Sequence, residues 1–311
     1  MNLHQLRFVR EAVRQNFSLT EAARALFTSQ PGISKAIIEL EDELGVQIFE
    51  RHGKRIKQLT APGKLVLQSA ERILSELENL KRIGAEFAAR ESGELRIAAT
   101  HTQARYALPP VVAAFRQRYP AVKLTLLQGI PSQLVDWVRT DEADIAIATE
   151  ALADSAEMVT LPCYQWEHTV VAPIGHPIHD APLTLMRLGT HPLITYERAF
   201  AGRGKIDNAF ANAGIDPQIV LEAIDADVIK TYVGLGLGVG IIAGIAFDPQ
   251  KDAPLAALPA GHLFGHNTTR LAVRQGVFMR GLMYDFISLF APAITRGMVD
   301  RVLQGGEAYD I

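Results

Sequence analysis

Two groups of residues in this chain carry polar chemistry at close spacing. Between Thr28 and Lys35 lie Thr28, Ser29, Gln30, Ser34 and Lys35, with Pro31 among them. Hydroxyls and carboxamides hydrogen-bond base edges, and lysine meets phosphate. Further on, Arg51-His52-Gly53-Lys54-Arg55-Ile56-Lys57 places four positive charges in seven residues. Arg51, Lys54 and Arg55 suit the backbone of a polyanion. The second group is Thr100-His101-Thr102-Gln103, joined by Ser132 and Thr149. Backbone amides at a helix N-terminus attract an anion. Hydroxyls of Thr100, Thr102 and Thr149 and the amide of Gln103 would complete its shell without a full positive charge. Ser132 is a weaker member of the same type. The plainer reading of any one of these residues is an ordinary helix cap.

Both groups need elements to hold them. Leu3, Leu6, Val9, Ala12 and Val13 have helical spacing over residues 3–16. Ser18-Leu19-Thr20-Glu21 reads as a capping box opening a helix over 20–26. Ser29 and Pro31 read as the start of a third helix over 31–44, with Ile33, Ile37, Leu40 and Leu44 inward and Gly45 as its stop. Two short helices joined by a tight turn make a helix-turn-helix, whose second helix fits the major groove of DNA. The acids Glu39, Glu41, Asp42 and Glu43 lie at the far end of that helix, away from phosphates. Residues 49–60 read as a strand–turn–strand wing. From Leu65 to Phe87 one helix continues, with Val66, Ala70, Ile73, Leu77, Leu80 and Phe87 on a heptad seam. Its simplest partner is the same helix of a second copy.

Glu91-Ser92-Gly93-Glu94 is a polar break, and beyond it strand and helix patterns alternate. Strands are expected over 95–99, 122–127, 144–148, 168–172, 219–223, 239–242 and 269–273. Helices are expected over 106–119, 133–140, 205–213, 227–235 and 280–290. Such alternation predicts a mostly parallel sheet in two α/β lobes, with crossings near Leu161-Pro162 and Gly265-His266. Ligands of these folds sit at the carboxyl ends of strands and between lobes.

Of the 311 residues, 48% are apolar and 21% charged, which excludes a disordered or low-complexity chain. Net charge is −3, yet the first 90 residues hold fourteen basic residues against eleven acids, a local +3. A basic front on an acidic body points to a polyanion contact near the N-terminus. One cysteine, Cys163, allows no internal disulfide and reads as a buried structural thiol. No basic-then-apolar leader opens the chain, and five glycines break its greasiest stretch, Val233–Ala246. A cytoplasmic protein with no membrane span is expected. The glycines from Gly234 to Gly240 follow a helix, the reverse of a dinucleotide turn. His262 and His266 lack an intervening acid and helical context, so no metal or other cofactor is expected. No nucleophile elbow, phosphate loop or zinc-protease motif occurs, and no enzyme is expected. A solute-binding protein would suit the α/β body, but not the DNA-reading front.

The strings Ala22-Ala23-Arg24-Ala25-Leu26, Ser29-Gln30-Pro31-Gly32-Ile33-Ser34, Leu40-Glu41-Asp42-Glu43-Leu44-Gly45 and Phe49-Glu50-Arg51 resemble the DNA-binding signature of LysR-type transcriptional regulators. Thr100–Tyr106, Ile147–Glu150, Leu161–Tyr164 and Asp225–Tyr232 resemble the CysB-like branch, which governs sulfur assimilation. The resemblance covers essentially the whole chain. It implies an N-terminal all-α winged helix-turn-helix (1–60), a linker and dimerisation helix (61–90), and a C-terminal α/β two-lobe effector domain (91–311) of the type II periplasmic-binding-protein kind. Lobe I would take about 91–162 and 266–311, and lobe II about 163–265. It also implies promoter DNA, a small effector such as sulfate or acetylserine, a homodimer or homotetramer, and RNA polymerase as partners. The expected function is activation of sulfur-source genes, with sulfonate or sulfate-ester use as the alternative to cysteine synthesis. In the relatives, Thr100, Gln103 and Thr149 match ligand contacts. Across the groove the family has Thr-Gly-Arg-Ser, where this chain has Ala201-Gly202-Arg203-Gly204. Position 201 thus loses its hydroxyl, while amides around Gly202 remain available. Arg203 and Lys230 either add positive charge there or pair with neighbouring acids.

Overall fold

The structure, a computed structural model, describes residues 1–306 except 54, 89–92, 150–151, 153–156, 199 and 201. It divides into two compact units, Met1–Gly84 and Ala85–Ile311. The division falls inside a helix, ahead of the polar break, whose residues 91 and 92 lie outside the described ones.

In the first unit, α1 (Leu3–Arg14) begins at a capping box of Asn2 and Gln5. Helix α2 (Leu19–Ala25) begins at Ser18, whose Oγ accepts the Glu21 amide. The reciprocal half of the expected capping box is replaced: the Glu21 carboxylate takes Arg24 at 2.6 Å instead. Helix α3 (Gln30–Leu44) begins at Ser29, carries Pro31 in its first turn and stops at Gly45, whose φ of +67° suits glycine. Strands β1 (Phe49–His52) and β2 (Arg55–Leu59) form an antiparallel wing, so this unit is not all-α. Val9, Ala12, Ala22, Ile33, Ile37 and Leu40 close a core with Ile48, Phe49 and Ile56.

Helix α4 runs Ala61–Ala88. Its expected seam divides. Val66 and Ala70, with Leu74, pack on the core of the first unit. Ile73, Leu80 and Phe87, seven residues apart, are 42%, 66% and 78% exposed.

Among the described residues, the second unit is built on a nine-stranded sheet. Lobe I contributes β3 (Gly93–Ala99), β4 (Val122–Gln128) and β5 (Ile145–Thr149), with α5 (Leu108–Arg118) and α6 (Pro131–Arg139). The sixteen-residue β6 (Met158–Pro173) then passes from lobe I into lobe II. Lobe II holds α7 (Leu185–Gly189), β7 (Leu193–Tyr196), α8 (Arg203–Asn212), β8 (Ile219–Ala223), α9 (Ala226–Gly234), β9 (Val239–Ala243), β10 (Leu255–Pro259) and α10 (Gly261–Phe264). Strand β11 (His266–Arg274) returns to lobe I, followed by α11 (Gly281–Phe290) and α12 (Arg296–Leu303).

The strand order is β4-β3-β5-β11-β6-β9-β7-β8, with β10 also on β6. Pairs within β3–β5 and β7–β9 are parallel, but every pair involving β6 or β11 is antiparallel. The expected mostly parallel sheet is therefore mixed, because the two crossing strands run against their neighbours. The first crossing also lies later than Leu161-Pro162. Up to Glu167, β6 pairs with β11; from His168 it pairs with β9. Pro162 sits inside the strand beside a register shift at Thr269/Arg270, where a missing amide donor is tolerated.

Candidate DNA-reading face and effector cleft

The candidate DNA-contact residues lie at and just ahead of the start of α3. Thr28, Ser29, Pro31 and Lys35 are exposed, and Gln30 and Ser34 half-buried. Ser29 Oγ is engaged as the cap, accepting the Gly32 amide at 3.3 Å, and Lys35 reaches Glu39 at 3.7 Å. In the wing, Arg55 is exposed, and Lys54 lies outside the described residues.

Arg51 is a correction. Its guanidinium binds Glu41 at 2.8 Å. Glu41 is itself 2% exposed, and its other oxygen accepts the amides of Ile48 and Phe49. The pair ties the end of α3 to the start of the wing. A buried carboxylate needs such partners, so Glu41 is a structural acid and not one kept clear of phosphates.

The effector candidates gather where β3 and β5 end. Thr100 follows β3, its amide held by Ile147 O at 3.2 Å, and its carbonyl accepts from Ala104. The helical path thus starts at once, with residues 103–107 in a π turn ahead of α5. Thr100 and Thr102 are buried. Thr149 ends β5 half-buried and faces Thr269 across the ladder. Gln103 is 1% exposed, and its carboxamide is engaged at both ends. It donates to Thr269 Oγ1 at 3.1 Å and accepts from Tyr164 Oη at 2.5 Å. Its side chain anchors the loop to β6 and β11, so an effector there would meet the hydroxyls and backbone amides around it. Ser132 is exposed inside the first turn of α6, not ahead of it; the cap position is Ile130.

On the lobe II side, Gly202 is the cap residue of α8 at φ +66°. A β-carbon there would collide with Asn267 Oδ1 and crowd His168, so the backbone approaches the β6–β11 crossing closely. Ala201 lies outside the described residues.

Arg203 is the second correction. It is 2% exposed and bound to Asp207 and Glu222 at 2.7 Å each and to Tyr196 O. Its charge is neutralised inside lobe II, joining α8 to β7 and β8, because a buried guanidinium is costly without carboxylates. Lys230 likewise binds Asp252 at 2.9 Å and Ala246 O at 2.8 Å. Neither cation supplies free charge to this end of the strands, where the remaining polar groups are hydroxyls and backbone amides.

Comparison with known proteins then fixes the family. A bacterial regulatory helix-turn-helix model of the lysR family matches residues 3–64, and the LysR substrate binding domain matches residues 88–294. The chain belongs to the LysR family. The HTH-type transcriptional regulator CysB of Burkholderia cenocepacia is 59% identical, covering 100% of each chain. The regulator SsuR of that organism is 52% identical over 98% of this chain and 99% of its own. The regulator cbl of Escherichia coli is 47% identical over 93% of this chain and 92% of its own. Among solved structures, the cofactor-binding domain of the Cbl transcriptional regulator is 41% identical, covering 69% of this chain and 94% of its own, at a TM-score of 0.67. CbnR complexed with its target DNA shares the fold at a TM-score of 0.61 and 19% identity, covering 94% of this chain and 100% of its own.

This LysR-family chain is a DNA-binding transcriptional regulator, and its family is not one of enzymes. Three residues near its candidate sites escaped sequence reasoning. Phe27, beside the recognition helix, is 98% exposed at φ +51°. Its positive φ breaks the helical path after Leu26, and the ring stands in solvent. Tyr196 is fully buried; burial pushes its phenol up to about 12, although the Ala243 amide and a Thr102 hydrogen bond oppose this. It lies in β7, a strand without an alternating pattern. Asp227 binds Tyr106 and Arg105 from the opposite lobe. In the sequence it is one of the acids neighbouring Lys230. Cys163 is buried, which pushes its thiol up to about 12 and keeps it protonated at neutral pH. His262 binds Leu183 O and His266 binds Glu167, so they form no pair.

Proposed function

We propose that this regulator activates sulfur-assimilation genes in the cytoplasm under control of a small sulfur-related anion or acetylserine-type effector. The observation that carries the effector part is that Thr100, Thr102 and Thr149 lie together where β3 and β5 end, while Arg203 and Lys230 are neutralised by carboxylates. Such a site selects small oxyanions by hydrogen bonds, not by net charge. The 59% likeness to CysB supports sulfur as the subject and cysteine synthesis as the regulon. Relatives of these names govern sulfur assimilation, and no helix among the described residues is long and apolar enough to cross a membrane. The exposed row Ile73, Leu80 and Phe87 supports a homodimer through α4, the base of a tetramer. RNA polymerase is the partner an activator requires.

The test is calorimetry of sulfate, thiosulfate, acetylserine and adenosine phosphosulfate against the full chain, joined to footprinting on promoters of cysteine-synthesis and sulfonate-use genes. Binding of at least one of these effectors with protection of the cysteine promoters is expected. Protection of sulfonate promoters alone would move the reading to the regulon of the alternative.

A further inference from the structure

The π turn after the effector loop is held by both lobes. Its first residue, Gln103, is fixed in lobe I by Thr269 and Tyr164. Three residues later, Tyr106 packs its ring against the lobe II core of Val171, Ile194 and Ile229. The Tyr106 hydroxyl donates to Asp227 Oδ1 at 2.7 Å, and Arg105 Nε donates to Asp227 Oδ2 at 3.2 Å. Asp227 lies in the first turn of α9. Lys230, one turn on, stands 3.5 Å from the same carboxylate and 5.3 Å over the Tyr106 ring. Lys230 is itself fixed by Asp252 and Ala246 O. His101 and Asp225 complete the polar group around Asp227. A π turn adds a residue to the helical ladder and recurs at functional sites. Here the extra residue lets one five-residue segment face lobe I at its start and lobe II at its end.

We propose that Asp227 is a clasp: by gripping Tyr106 and Arg105 it holds the two lobes against each other. The effector loop Thr100–Thr102 immediately precedes the clasped segment, so loop and clasp move as one piece. An effector touching both lobes binds the closed form, and its apparent affinity scales with the closed population. The clasp therefore sets effector affinity without touching the effector. This last step rests on the effector reading above; the clasp itself does not.

Two observables separate them. Spin labels at Gln117→Cys in lobe I and Met186→Cys in lobe II, both exposed positions, report lobe separation in the full chain diluted with unlabelled protein. The native thiol Cys163 stays unlabelled because it is buried. Without effector, the clasped chain gives one short distance. Tyr106→Phe, which changes no charge, and Asp227→Asn each add a longer one. Sulfate and acetylserine affinities then fall about tenfold in both variants. Asp227→Asn alone, acting only as the loss of a nearby negative charge, would tighten sulfate binding and leave Tyr106→Phe unchanged. That pattern overturns the clasp, as do unchanged distances in both variants. Arg105→Gln, which removes the longer bond and leaves Tyr106 on Asp227, should add less of the longer distance than Tyr106→Phe, and far-UV circular dichroism of all three variants checks that the fold is kept. Lengthened distances with no binding of either probe uphold the clasp and overturn the effector reading instead.

Discussion

Glu41 and Arg51, ten residues apart, join the end of the recognition helix to the first strand of the wing. One Glu41 oxygen accepts the amides of Ile48 and Phe49; the other takes Arg51 at 2.8 Å. Removing the carboxylate leaves two buried amides without partners. Glu41→Ala should therefore destabilise the N-terminal unit by about 2–4 kcal/mol. Arg51→Ala should cost about 1 kcal/mol, since the guanidinium is partly exposed and the amides stay satisfied. Denaturant melts of the full chain read by probes in each unit measure both. Equal losses would show that the amide bonds do not dominate.

The same pair separates two arginines that look alike in sequence. Arg55→Ala should reduce the salt slope of DNA binding by about one unit and weaken specific and random DNA alike. Arg51→Ala should alter the slope much less. Gln30→Ala and Phe27→Ala should weaken the specific site more than random DNA, by about 1–3 kcal/mol, through base-edge and methyl contacts. Titrations on both DNAs at several salt concentrations decide between these roles.

Ile73→Asp combined with Leu80→Asp places charges on the exposed row of α4. Neither residue is buried within the chain, so the fold should hold while self-association is lost, because burying unpaired charge at an interface is costly. Sedimentation should show a smaller species with weaker affinity for a two-half-site operator. An unchanged mass would assign the row to another role.

Thr100→Val and Thr149→Val should each weaken effector binding by about 1–2 kcal/mol, the scale of one buried hydrogen bond. Ala201→Thr, restoring the family's hydroxyl, should strengthen sulfate binding. Arg203→Met should instead lower the stability of the effector domain, because Asp207 and Glu222 lose their shared partner. Calorimetry and thermal melts distinguish the two kinds of residue. A sulfate affinity that collapses in Arg203→Met at unchanged stability would return that charge to the cleft.

The stabilising effect of Asp227 should depend on pH. Burial pulls its carboxyl up, but hydrogen bonds from Tyr106 and Arg105 outweigh this and hold it below the ordinary 3.8. A lowered folded value means a contribution that is present above the unfolded value and lost as pH falls through the folded one. The stability gap between the native chain and Asp227→Asn should thus be constant near neutrality and close in acid, below pH 3.8. Urea melts from pH 7 downward measure it; a gap that persists at the acid end would exclude the ionised carboxylate as its source.

Much of this protein is written locally. Ser29, Pro31 and Gly45 mark the bounds of α3 because caps and stops act within one turn. The spacing of Ile33, Ile37 and Leu40 identifies its buried face for the same reason. Thr100 and Thr149 are legible as strand-end residues because the apolar runs over 97–99 and 145–148 end there.

Sequence could not assign the charges. Arg51 and Arg55 differ by the distant Glu41; Arg203 and Lys230 are silenced by Glu222 and Asp252. A charge is free or neutralised according to what tertiary contact brings beside it, and no periodicity records that. The antiparallel course of β6 and β11 was hidden likewise, since strand direction depends on the neighbours a crossing strand meets. So was the meeting of Tyr106 with Asp227 across 121 residues, where only the folded chain places a phenol of one lobe against a carboxylate of the other.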